Sequence, residues 1–89
     1  MRAVVTVVGN DAVGILAKVS TKCAEFNANI IEVNQSVLQE VFAMTMLIDL
    51  SKLNGDFAAL ADSLEELGNS MNLKIHTMHE SIFNCMHEI

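Results

Sequence analysis

The chain has 89 residues, of which 52% are hydrophobic and 18% charged, with no proline; this describes one folded domain and excludes a linker or a disordered segment. A domain of this size hides only roughly 60–65% of its unfolded surface, so a sequence this apolar leaves greasy surface for self-association. Eleven Asp and Glu against five Lys and Arg give a net charge of -6, which denies nucleic-acid phosphates and acidic membranes an electrostatic footing.

Tyr and Trp are absent, and the four Phe do not interleave with basic residues, so no base-stacking platform is visible. Two cysteines, Cys23 and Cys85, are too few for a disulfide framework. The N-terminus shows no charged leader with an apolar stretch and cleavage site, and no apolar run nears the roughly 20 residues that cross a bilayer. A soluble cytoplasmic protein with reduced thiols is expected.

Along the chain, Arg2 to Gly9 (RAVVTVVG) is a β-branched run without helical period, followed by Gly9-Asn10-Asp11, which has turn and helix-capping chemistry. From Ala12, the positions Ile15, Leu16, Val19, Cys23 and Phe26 fall on one helical face, with Lys18, Lys22 and Glu25 mostly outside it. Asn27 suits the left-handed residue that closes a helix. A second strand follows over 29–37, with Ile31, Val33 and Val37 on one face and Glu32, Asn34 and Ser36 on the other. Gln39-Glu40 reads as a turn into Val41–Leu50, apolar at nearly every position and therefore expected to be buried on both faces.

Asn54 or Asp56 can cap a second helix, whose stripe is Phe57, Leu60, Ala61, Leu64, Leu67 and Met71, with Asp62, Glu65 and Glu66 facing water. After a breaker from Gly68 to Asn72, LKIHTMHE alternates as a last strand, and Ser81 opens an amphipathic tail with Ile82, Phe83, Met86 and Ile89 on one side. The order is an α+β, ferredoxin-like βαββαβ sandwich: a four-stranded antiparallel sheet with two helices on one face, plus a short C-terminal helical tail. Residues 1–80 form the domain and 81–89 the tail.

The first loop, from Gly9 to Leu16, carries the strongest functional signal. It sets backbone N–H groups at a helix N-terminus beside two glycines that permit close approach, which suits a carboxylate or other small anion. The same residues also read as plain architecture, with Asn10 or Asp11 capping the helix and Gly14 letting it pack tightly on the sheet. Neither G-x-G-x-x-G nor G-x-x-x-x-G-K-[ST] is present.

His76, His79, Cys85 and His87 are metal-ligand types, but residues three apart on a strand project to opposite faces, so His76 and His79 are not expected to chelate one ion. Cys23 reads as a core thiol, and His87 is the sole base close in sequence to Cys85. Met44 and Met46 read as packing, and Asp62, Glu65 and Glu66 as a solvated face rather than acid-base catalysts. Arg2 is the single arginine, which leaves a phosphate-binding arginine loop unsupported. No catalytic residue, metal or cofactor is expected.

Taken together, RAVVTVVG, GNDAVGILAKVS, Asn29-Ile30-Ile31, Gln35, Phe42-x-Met44 and the two helix stripes resemble the ACT domain family, small-molecule-sensing modules of amino-acid biosynthetic enzymes and regulators. The likeness covers essentially the whole chain. The tail Ile82–Ile89 narrows it to stand-alone single-domain members related to the glycine cleavage system transcriptional repressor. The resemblance implies pairing with a second copy, often edge to edge, with ligands held at the interface by the first loop. On matching positions the ligand-binding candidates are Asn10, Asp11, Gly14, Ile15 and Leu16, with Asn34 and Gln35 contributing across the interface. Asn10 stands where this subgroup commonly has a basic residue, and Asn27 where a helix-closing glycine is usual. The expected function is a non-catalytic regulatory module, dimeric, binding a small ligand such as an amino acid and acting on a partner in trans. The alternative is a ligand-free assembly domain.

Overall fold

The computed structural model describes residues 1–10 and 13–87. Its elements are β1 (Arg2–Gly9), α1 (Ile15–Glu25), β2 (Asn29–Leu38), β3 (Val41–Asp49), α2 (Phe57–Ser70), β4 (Lys74–His79) and α3 (Glu80–His87). The four strands form one antiparallel sheet in the order β2-β3-β1-β4, so the two longest strands, β2 and β3, are sequence neighbours joined by the Gln39-Glu40 turn. Gln39 takes a left-handed φ of 56° there. This is the βαββαβ arrangement, with a C-terminal helix added.

One face of the sheet makes the core. Val5 and Val7 of β1 align with Met46 and Met44 of β3, and all four are buried with Ile15, Val19 and Cys23 of α1 and Leu60 and Leu64 of α2. Each such apolar side chain contributes roughly 1.5–3 kcal/mol by leaving water, and together they hold α1 and α2 on the same side. Asp56 caps α2 by accepting from the Ala59 N–H at 2.8 Å. Asn27 closes α1 at φ 58° and donates from Nδ2 to the Lys52 carbonyl at 2.8 Å, tying the helix end to the loop before α2.

Four expectations are corrected. β3 is not buried on both faces: Phe42, Met44, Met46 and Ile48 are enclosed, but Ala43, Leu47 and Asp49 are half-buried and Thr45 is exposed. The strand is apolar at nearly every position, yet α1 and α2 cover only one side of it. In β2 a bulge falls at Ile31, since Ile30 aligns with Ile48 and Glu32 with Leu47. The extra residue shifts the alternation, so Ile30, Val33 and Val37 share the helix side and Ile31 is exposed. Leu16 does not join the buried stripe of α1; it is 38% exposed. Finally, α2 runs through Gly68 to Ser70, because Gly68 is buried against Ile75 and Leu73, and the left-handed residue is Asn72.

α3 packs against β1 and β4 on the face the other helices leave open, where Val4 and Leu47 lie. Arg2 anchors its first residue: Nε and Nη2 donate to the two Glu80 carboxylate oxygens at 3.0 and 2.7 Å. Among the described residues no helix is long and apolar enough to cross a membrane.

Candidate functional site

The loop between β1 and α1 starts from a close approach. A Cβ on Gly9 would fall 1.9 Å from Leu73 Cδ2, so Gly9 is the glycine that lets two chain segments touch. Gly14 has a different job. Among the described residues a Cβ there would meet nothing within 4 Å, and its φ is +74°; the residue is glycine for its left-handed backbone, not for tight helix packing. This corrects the close-packing reading of Gly14.

Gly14 is also the N-cap residue of α1, so Asn10, four positions earlier, does not cap the helix. With glycine at the cap there is no capping side chain, and the first turn carries no acidic residue. The backbone amides and the positive end of the helix dipole are thus not neutralised from within that turn. Asp11 lies outside the described residues, as does Ala12. Ile15 is 1% exposed; its side chain belongs to the core, and only its backbone can serve a ligand. Leu16 and Val13 instead put apolar side chains in solvent on either side of Gly14.

Asn10 lines a cleft of about 300 Å³ with Val8, Gly9, Asn69, Asn72, Leu73 and Lys74. Its lining includes three asparagines and one lysine, residue types whose amide and ammonium donors suit a small carboxylate. Lys74, Asn69 and Asn72 were not among the residues singled out from sequence. Lys74 arrives because β4 pairs with β1 in the register Val8↔Lys74, and Asn72 because its φ of 59° turns the chain from α2 into β4. The Gly68–Asn72 breaker was the available signal, but nothing local places it beside Asn10.

Asn34 and Gln35 separate. Gln35 aligns with Met44 on the helix side of β2, against which α1 packs, whereas Asn34 aligns with Thr45 on the other side. Asn34 lines a second cleft, of about 310 Å³, beneath α3. The two neighbours therefore do not serve one pocket within a single chain.

The remaining candidate groups sit in different settings. His76 and His79 point to opposite faces, as their spacing requires, since His76 aligns with Thr6 and His79 with Ala3. His79 stacks on Phe57 with ring centroids 4.2 Å apart. Burial pushes the Cys23 thiol up to about 11, far from a nucleophilic thiolate, while Cys85 is exposed on α3. At the opposite end of the sheet, a cleft of about 430 Å³ contains Asp49, whose carboxyl sits below its usual range because the Ser51 N–H and hydroxyl both donate to it.

Compared with known proteins, residues 2–78 match the family model of the ACT domain. A UPF0237 protein of Listeria innocua is 44% identical over 89 residues, covering 100% of both chains. The solved structure of an ACT domain protein from Streptococcus pneumoniae superposes with a TM-score of 0.81 at 41% identity, covering 93% of each chain. A structure assigned to a glycine cleavage system transcriptional repressor gives a TM-score of 0.68 at 25% identity over 85% of this chain and 43% of that one.

Proposed function

This chain belongs to the ACT domain family, and from that premise we propose that it is a non-catalytic, cytoplasmic regulatory module that binds an amino acid and passes the signal to a partner protein. The observation that carries this reading is the cleft at the end of β1, whose lining includes Lys74, Asn10, Asn69 and Asn72. The carboxylate of the ligand takes the ammonium and amide donors, and the first turn of α1, whose N-cap residue is a glycine, adds its dipole to the same end of the sheet. Asp11, Gly14, the Ile15 backbone and Leu16 form the loop side of the site.

The working unit is a homodimer. β2 is a ten-residue edge strand, and its Ile31 and Val37 are 46% and 69% exposed; an edge of this length with exposed apolar side chains favours pairing with another chain. Such pairing brings Gln35 or Asn34 of one copy toward the loop of the other, and a ligand that favours one arrangement of the two subunits shifts its population.

The test is a thermal-shift screen of the twenty amino acids on the purified chain, with molecular mass measured in solution alongside. A ligand at 100 times its Kd adds about 2.7 kcal/mol, a rise of several degrees in Tm for a domain this small. One hit that disappears in Lys74→Met supports the sensor. A flat screen at millimolar concentration on a stable dimer refutes it in favour of a ligand-free assembly domain.

A further inference from the structure

The second cleft has chemistry of its own. Its floor is Val4 of β1 and Leu47 of β3, aligned with each other across the sheet, and its wall is Phe83 of α3. α3 packs on β1 and β4, so the gap opens between it and the β2–β3 half of the sheet, with Glu32 and Asn34 of β2 at the rim. About 310 Å³ lies at the small end of the range for ligand pockets.

Two carboxylates line this cleft, and they differ. Glu80 is engaged by both donors of the Arg2 fork. Glu32 enters neither of the described ion pairs, Arg2–Glu80 and Lys22–Glu25, and among the described residues no lysine, arginine or histidine lines the cleft. Among the described residues, the Glu32 carboxylate at the rim of this partly apolar cleft therefore has no counter-charge from the lining. Thr45 and Asn84 add a hydroxyl and an amide.

We propose that the cleft between α3 and the open face of the sheet is a binding site for a small protonated amine with a short apolar body. The ammonium sits against Glu32, where a charge-assisted hydrogen bond is about twice as strong as a neutral one. The hydrocarbon lies between Phe83 and the Val4–Leu47 floor. Anions are repelled by Glu32 and, across the whole chain, by a net charge of -6. This site differs in face and in charge preference from the carboxylate-binding loop, so the two stand or fall separately.

The experiment titrates the isotope-labelled full chain with isoamylamine, isoamyl alcohol and isovalerate at constant ionic strength, following backbone amide shifts. Isoamylamine is expected to move Val4, Thr45, Leu47 and Phe83 saturably, at least tenfold more tightly than the alcohol, with no saturable shift from isovalerate. Glu32→Gln, an isosteric change at an exposed position, brings the amine down to the affinity of the alcohol. Phe83→Ala weakens both, and Asp62→Asn on the outer face of α2 leaves both unchanged. Equal binding of amine and alcohol, an unaltered Kd in Glu32→Gln, or amine-induced shifts scattered over other acidic surfaces overturns the assignment. So does concentration-dependent movement of the same amides without amine, which would mean a second copy covers the cleft.

Discussion

Gly14 offers a test in which conformation and packing predict opposite outcomes. The residue has φ +74°, and a Cβ there meets none of the described residues, so Gly14→Ala is expected to introduce backbone strain and no collision. An L-residue in the left-handed region costs roughly 1–2 kcal/mol, partly offset by the 0.4–1 kcal/mol that alanine contributes by restricting the unfolded chain. The net expectation is a loss of about 1 kcal/mol, a fall in Tm of roughly 4–8 °C for a chain of this size. D-alanine at the same position, introduced by chemical ligation, keeps the unfolded-state gain without the strain and stabilises by about 0.4–1 kcal/mol. Urea unfolding followed by circular dichroism measures both, since there is no Trp or Tyr to report by fluorescence. If D-alanine destabilised as much as L-alanine, the glycine would be serving a close contact and the conformational reasoning would be wrong.

Three further outcomes follow from single side chains. Among the described residues Thr77 Oγ1 is buried without a hydrogen-bond partner, so Thr77→Val should raise stability by about 1 kcal/mol in the same urea assay; a loss of stability would show that the hydroxyl is satisfied. With the Cys23 thiol pushed up to about 11 by burial and Cys85 exposed, a thiol reagent at pH 8 should label one cysteine per folded chain and the second only in denaturant. Prompt labelling of both would contradict the burial of Cys23. The Asp49 carboxyl is held below its ordinary 3.8 chiefly by the Ser51 N–H, so its stabilising effect is present above that pH and fades as the carboxylate protonates. Asp49→Asn should therefore be less stable than the parent at pH 6, the gap closing as the pH falls below 3.8; a gap that widens in acid would reverse the sign of the argument.

How far the sequence reaches depends on whether a property is local. β1 over Arg2–Gly9, the stripe Leu60–Leu64–Leu67 of α2, the left-handed Asn27 and the buried Cys23 all follow from periodicities and backbone preferences within one element. Hydrophobic alternation also led to the βαββαβ order. It could not say how many faces of β3 would be covered, because an apolar run is compatible with helices on one side or both. Nor could it anticipate the bulge at Ile31, which depends on how β2 meets β3.

The candidate site divides along the same line. Glycine chemistry and helix-terminal amides at Gly9–Ile15 are legible in the residues themselves, but which glycine allows contact and which supplies a left-handed turn was settled by Leu73, sixty-four residues from Gly9. Lys74 joins Asn10 only through the β1–β4 register, and Asn34 parts from Gln35 only because adjacent strand residues face opposite ways once the sheet has two unlike sides. Within an unbroken helix or strand the sequence alone determined which residues share a face, since that is set by the 2.0 and 3.6 residue periods of the backbone, and the bulge at Ile31 is where that period breaks. Which faces meet, and which polar groups they enclose, is decided by long-range pairing and packing, and only the tertiary structure contains it.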